Sequence, residues 1–110
     1  MIRSIEGRKA APGVATGRPI IVHSEADLDN VQPGDILVAA QTDIEYVPAM
    51  HRASAVITET GGRFCHAAVW ARENSKPTIL QVLDATTILT DVAVVTVNAE
   101  TGTVTWDDGQ

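Results

Sequence analysis

The stretch GGRFCHAAVWARE, residues 61–73, joins a glycine pair, a cysteine and a histidine to a run of strong helix formers. It follows AVIT, a short apolar run that is typical of a buried strand. A strand, a glycine loop and a helix in this order point unpaired backbone N–H groups and the positive end of the helix dipole at whatever lies in front of them. The junction therefore predicts an anion-binding site.

His66 stands at this predicted junction, where the positive field favours a neutral, nucleophilic imidazole near neutral pH. A phosphoryl group on the ring would face the same N–H donors, so one local field favours both the nucleophile and its product. Arg63 can add a bidentate phosphate contact, whereas Arg72 lies off the histidine's face and is assigned to surface pairing or partner contacts. Gly61 and Gly62 allow positive φ angles and the close approach of a second molecule.

The same residues also fit a structural interpretation. In it, His66 caps or packs the helix, the glycine pair forms only a turn, and Cys65 is a small buried residue. Trp70 belongs either to the core or to a docking surface, and His23 and His51 are ordinary strand-end and helix-surface residues. A third interpretation, a thiol enzyme based on Cys65, would need the adjacent His66 as its acid–base partner, and neighbours rarely face each other at a helix start.

Composition limits the class of protein. The chain has 110 residues, 45% of them hydrophobic and 20% charged, which is typical of one globular domain. Its net charge of -6 argues against a nucleic-acid or anionic-membrane partner. The apolar run DVAVVTVNA is too short to span a bilayer, and the N-terminus lacks the apolar stretch of a signal peptide. The single cysteine favours a reducing, cytoplasmic location, and no His or Cys spacing resembles a zinc site.

Short runs rich in β-branched residues predict the strands. They cover residues 18–23, 36–39, 54–58, 77–82, 92–97 and 102–106, the last two as a closing hairpin. Two segments between these runs favour helix, so the pattern predicts an α/β layered domain. Neither an internal repeat nor a linker or low-complexity tract is found in the sequence.

The two helices have distinct start and stop signals. Thr42 and Glu45 have capping-box spacing, which would start the first helix at Asp43. Pro48 would then fall in the second turn, where its ring is costly, so we predict a start near residue 46 or 47. The second helix is predicted over residues 66–74 and is ended by the Lys-Pro pair at 76–77.

The stretch TGGRFCHAAVWARENSKPTIL resembles the phosphohistidine, or swivelling, domain of the phosphoenolpyruvate-utilising enzymes. The resemblance continues through GRKAAPGVATGRPIIV, VQPGDILVA, TDIEYVPAMHRASAVITETGG and VTVNAETGTV, which together cover nearly the whole chain. Because a cysteine stands directly before the histidine, this stretch is most similar to the phosphoenolpyruvate synthase branch of the family. The resemblance implies a single swivelling β/β/α domain over residues 1–110, with a layered sheet and helices.

The resemblance further implies a carrier role. His66 would be phosphorylated transiently and would move phosphate between an ATP-grasp nucleotide domain and a barrel domain that handles pyruvate, phosphoenolpyruvate or another acceptor. The phosphate loop would consist of Thr60, Gly61, Gly62, Arg63 and Cys65, with Thr60 and Cys65 supporting the ring of His66. The domain is expected to bind no cofactor alone, with ATP and Mg²⁺ on the partner domains. It would be inactive alone, as part of a larger phosphotransferase or as a free-standing subunit of a split one, and Met1 favours the subunit.

Phe64 departs from the family pattern, which usually has threonine or serine two residues before the histidine. A hydroxyl there could bond the phosphate or the imidazole, and phenylalanine has none. This leaves an alternative function open, in which the loop has lost phosphoryl transfer and the domain serves as a non-catalytic docking or regulatory module.

Overall fold

Nine strands and three helices form within residues 1–109, the part of the chain that the computed structural model describes. Their bounds are β1 Ile2–Glu6, β2 Arg8–Ala11, β3 Val14–Gly17, β4 Pro19–Val22, β5 Ile36–Ala39, α1 Val47–Arg52, β6 Ala55–Thr58, α2 His66–Asn74, β7 Thr78–Leu80, α3 Ala85–Ile88, β8 Val95–Asn98 and β9 Thr103–Asp107. Short 3₁₀ helices cover Glu25–Asn30 and Ile44–Tyr46. The predicted α/β class is confirmed.

The strands form two sheets. The first has the order β2-β7-β6-β5-β4, in which β4 to β7 are parallel and β2 is antiparallel to β7. The second is antiparallel, with the order β1-β9-β8-β3. Its β8–β9 pair, in which Thr96 faces Thr105, is the predicted closing hairpin.

The parallel sheet is the middle layer and is buried on both faces. Alternate residues of a strand point to opposite faces, so Ile36 and Val38 of β5 enter the core between the two sheets. Leu37 enters the core on the other face together with Trp70 of α2, which is 8% exposed and is therefore a core residue. Burial on both sides explains why β5 and β6 are almost wholly apolar, and the layers run sheet, sheet, helices.

The N-terminal segment differs from the prediction. We expected the first strand over residues 18–23, but β1, β2 and β3 precede it. β1 is largely exposed and pairs with β9 at the other end of the chain, from Ile2 opposite Asp107 to Glu6 opposite Thr103. A short, exposed and charged strand has little local signal, because its stability comes from a partner about a hundred residues away.

The start of α1 is confirmed, with Pro48 in the first turn after Tyr46. The capping box of Thr42 and Glu45 does not form. The Asp43 carboxylate instead accepts the backbone N–H of Glu45 at 3.1 Å and caps the short 3₁₀ helix that precedes α1. Thr42 is thereby left free for another contact, described below.

The second helix, α2, has the predicted bounds of residues 66–74. The four-residue α3 was not predicted, and it is held by a long-range contact. The carboxylate of Glu59 accepts the backbone N–H and the hydroxyl of Thr86 at 2.8 and 2.5 Å. None of the helices within residues 1–109 has both the length and the apolar character needed to cross a membrane.

Candidate functional site

Three neighbouring parallel strands, β5, β6 and β7, end at one edge of the middle sheet, so the loops that follow them begin side by side. A cavity of about 230 Å³ lies at this edge. It is lined by Gln41, Thr42, Thr58, Thr60, Gly61, Cys65, His66 and Ala67. Its volume suits a phosphate-sized anion and is below the ~300 Å³ at which sites for larger ligands begin.

His66 is the first residue of α2, and its half-buried ring lines this cavity. Its Nδ1 lies 2.9 Å from Oγ1 of Thr42, which comes from the loop after β5. Nε2 makes no hydrogen bond with any group of residues 1–109. One ring nitrogen is thus held by a hydroxyl, and the other is available for chemistry.

Two side chains from outside the glycine loop hold its carbonyls. Nε2 of Gln81 donates to the carbonyl of Gly61 at 2.8 Å, and Nη2 of Arg72 donates to the carbonyl of Arg63 at 2.6 Å. The C=O and N–H of a trans peptide point in opposite directions. Holding these carbonyls therefore fixes the N–H groups of the next residues in the chain, and within residues 1–109 those N–H groups have no acceptor.

The start of α2 adds further free donors. Its N-cap is Cys65, whose N–H donates back to the carbonyl of Gly62 at 3.0 Å and closes the loop. The Cys65 carbonyl accepts the N–H of Val69 at 3.0 Å, so the N–H groups of residues 66–68 precede the first intrahelical bond. The predicted strand, loop and helix junction is confirmed, and its N–H groups and dipole make an electropositive edge.

The two glycines play different parts. Gly61 has a φ of +108°, and a Cβ there would lie 2.8 Å from Sγ of Cys65. Gly62 has no positive φ, so that part of the prediction is wrong for it. The space around a Cβ at Gly62 is open, which fits the predicted approach of a second molecule.

Two of the other predicted loop residues have contacts that the sequence did not suggest. Thr60 lines the cavity, but its hydroxyl donates to the carbonyl of Ala40 at 3.0 Å, and the ring's hydroxyl partner is Thr42 instead. Arg63 does not line the cavity, and its guanidinium carbon lies 5.4 Å from the ring centroid of Phe64. This is a cation–π distance, and Phe64 itself is 82% exposed.

Four residues of the site were not predicted as site residues from the sequence: Gln41, Thr42, Thr58 and Gln81. A signal was present, because all four lie within or just after runs that predict buried strands. Polar residues at the carboxyl ends of such strands converge only if the strands are parallel neighbours. That arrangement is a property of the fold rather than of any one run.

Substituting the two glycines separately tests their different parts. We expect Gly61→Ala to lower the free energy of unfolding by about 1–3 kcal/mol, because its φ is strained for alanine and its Cβ would meet Cys65. Gly62→Ala is the matched control, with an expected change within about 0.5 kcal/mol. Urea unfolding followed by circular dichroism measures both, and equal losses would show that Gly61 is not required by its conformation.

Comparison with known proteins gives consistent results. Residues 31–102 match the family described as PEP-utilising enzyme, mobile domain. The chain is 43% identical over 100 residues to a probable phosphoenolpyruvate synthase of Archaeoglobus fulgidus and 42% identical over 98 residues to the phosphoenolpyruvate synthase of Pseudomonas aeruginosa. These alignments cover 91% and 89% of this chain but only 13% and 12% of those proteins.

Two solved structures are similar in fold. They are the holo form of Thermococcus kodakaraensis aconitase X, with a TM-score of 0.63, and a UPF0107 protein solved in solution, with a TM-score of 0.64. Both are 17% identical to this chain; the alignments cover 93% of it and 96% and 97% of the other chains. Such low identity supports a shared fold alone. The family match and the identity to the synthases go further, and on them the chain belongs to the family of PEP-utilising enzyme mobile domains.

Proposed function

We propose that this chain is a phosphoryl carrier. His66 would accept a phosphoryl group from an ATP-grasp nucleotide domain and release it to an acceptor on a barrel domain that handles pyruvate or phosphoenolpyruvate. The observation that carries the proposal is the hydrogen bond between His66 and Thr42 at the edge of a phosphate-sized cavity. Family membership and the identity to named phosphoenolpyruvate synthases support the same role.

In the proposed reaction, Nε2 of His66 is the nucleophile. When Nδ1–H donates to Oγ1 of Thr42, the lone pair of the neutral ring lies on Nε2. An Nε2–P bond forms, and the bond from phosphorus to the donor's leaving oxygen breaks, with the electron pair leaving on that oxygen. Thr42 stabilises the positive charge that develops on the ring. In the second transfer an acceptor oxygen attacks phosphorus, and Nε2 departs with its pair.

Backbone groups would surround the transferred phosphoryl group. The N–H groups at the start of α2 and in the glycine loop have partial positive charge where the phosphoryl oxygens would lie. Gln81 and Arg72 act as positioning residues, since they hold the loop carbonyls away from the anion. The phosphate contact proposed for Arg63 would require its guanidinium to leave Phe64.

The nucleotide and its metal belong to the partner in this proposal. A cavity of about 230 Å³ is too small for ATP. Within residues 1–109 no three His, Cys, Asp or Glu side chains come together as ligands for a metal ion. We therefore assign ATP and Mg²⁺ to the nucleotide domain, whose cationic groups would stabilise the transferring phosphoryl group.

One observation favours the alternative, a non-catalytic docking or regulatory module: Phe64 replaces the family's usual hydroxyl and is 82% exposed. Thr42 weakens this alternative, because it supplies a hydroxyl to the ring from another loop. A thiol enzyme based on Cys65 is weakened by a different observation, since within residues 1–109 no hydrogen bond joins the Cys65 thiol to His66.

Phosphorylation of His66 tests the function directly. We expect acid-labile, alkali-stable label when the chain is incubated with its cognate nucleotide domain and β- or γ-labelled ATP, with the phosphoryl group on Nε2 by ³¹P NMR of the unlabelled product. His66→Ala should abolish the label, and His51→Ala, on the exposed surface of α1, is the matched control. Label that persists in His66→Ala would remove the assignment.

The hydroxyl of Thr42 should affect the rate of transfer. With phosphoramidate, a small phosphoryl donor, we expect Thr42→Val to slow phosphorylation of His66 about tenfold, because a hydrogen bond to a charged ring is worth about 1.5–3 kcal/mol. Thr42→Ser keeps the hydroxyl and should stay within about twofold of the parent. The pH profile of the rate should change in Thr42→Val only, and identical rates in all three proteins would contradict the role.

Phe64 discriminates the carrier from the docking or regulatory module. If the loop is functional, Phe64→Thr should leave the rate with phosphoramidate within about twofold, since Thr42 already holds the ring. Mass spectrometry of His66-containing peptides measures the rate. If instead only the threonine variant accepts phosphate, the loop of the natural chain has lost its function and the alternative is correct.

A further inference from the structure

Three large apolar side chains are exposed near His66, at the edge of the middle sheet where β5, β6 and β7 end. Ile44, Phe64 and Leu83 are 72%, 82% and 76% exposed. Two other large apolar residues of the described chain, Met1 and Ile2, are similarly exposed at 82% and 67%, but both lie at the start of the chain, beside or in β1 of the other sheet. Each of the three lies in the segment that follows one of the parallel strands β5, β6 and β7, Ile44 at the start of the 3₁₀ helix before α1, and these segments leave the same sheet edge. We call these three residues the apolar rim.

The contacts of the site keep the rim close to His66. Ile44 lies two residues after Thr42, whose hydroxyl contacts the ring, and Phe64 lies two residues before His66 itself. Leu83 lies two residues after the glutamine that holds the glycine loop. Two residues of chain span at most about 7 Å. Each rim residue therefore has its backbone within that distance of a residue that forms the site.

Carboxylates flank part of the rim. Asp43 and Glu45 stand on either side of Ile44, Asp84 follows Leu83, and all three are exposed. Hydrogen bonding to Asp43 and its negative charge raise the pKa of Glu45, as expected where like charges are crowded. The two cations near the site, Arg63 and Arg72, lie on the Phe64 side. The surface is thus apolar at its rim and acidic beside two of its three members.

We propose that the apolar rim is the docking surface for the phosphoryl-donating domain, and that this domain covers His66 with apolar contacts and basic side chains facing the carboxylates. The inference rests on the proposed carrier function and names the surface that its partner uses. A site that holds a nucleotide's phosphates is rich in cations, which complements the acidic flank. Because the cavity is too small for a nucleotide, the donor has to come to His66, and covering the rim would exclude water from the transfer.

Two phosphoryl donors distinguish an effect on docking from an effect on the transfer reaction itself. The cognate ATP-grasp nucleotide domain with labelled ATP has to dock, whereas phosphoramidate is small enough to reach His66 without docking. We would compare Ile44→Ser, Phe64→Ala and Leu83→Ser with the parent chain; alanine at position 64 removes the apolar ring without adding a hydroxyl next to His66. Val14→Ser is the matched control, because Val14 is 59% exposed on β3, an edge strand of the other sheet.

We expect each rim variant to raise the half-saturating concentration of the nucleotide domain about tenfold, the loss typical of a central interface side chain. The maximal rate and the rate with phosphoramidate should stay within about twofold, and Val14→Ser should match the parent. Raising the salt concentration should raise the parent's half-saturating concentration, since exposed charges are screened.

The possible failures can be told apart. If all three rim variants have the same half-saturating concentration of the nucleotide domain as the parent, the rim is not the docking surface, and the carrier function is unaffected. A half-saturating concentration that does not change with salt would contradict the proposed basic side chains on the partner. Absence of label at His66 with both donors would remove the carrier function, and the docking surface with it.

Discussion

Parallel, in-register pairing of β5, β6 and β7 is the constraint on which the site depends. Both faces of this sheet are buried, with Ile57 on the face towards the second sheet and Val56 on the face towards the helices. A slip of one residue would exchange the two sets of side chains between unlike cores, so the register is strongly held. In this register β5 and β6 end side by side, so the loops that follow them are neighbours. Thr42 in one loop thereby contacts His66 after the other, 24 positions later in the sequence.

Within the site, the structure separates the groups that hold the loop from the groups that face a ligand. Side chains bind the carbonyls, the N–H groups have no acceptor within residues 1–109, and a positive φ at Gly61 makes the turn possible. Donors from the backbone do not depend on side-chain identity. A hydroxyl from another loop contacts the ring and the Phe64 side chain lies on the surface, so phenylalanine at position 64 leaves these contacts intact.

The fold and the function rest on different observations. Aconitase X and the UPF0107 protein share the architecture at 17% identity, so the layered scaffold alone does not select a reaction. Family membership rests on the match over residues 31–102 and on identity to the synthases, of which the chain spans 12–13%. The carrier proposal adds the geometry of the histidine, with one nitrogen held and the other free beside a small cavity.

Local patterns were sufficient for some elements. The apolar run at 36–39, the helix at 66–74 and the start of α1 around Pro48 followed from hydrophobic runs, helix formers and the geometry of proline, all of which act over a few residues. Three features could not be predicted from local patterns: the strand from Ile2 to Glu6, the partner of His66, and the residue that holds Gly61. Each depends on chain segments that are distant in sequence. Residue spacing carries no information on which segments meet. His66 could therefore be proposed as a nucleophile from its surroundings in the sequence, whereas its hydroxyl partner and the apolar rim near it were set by how the sheets pack.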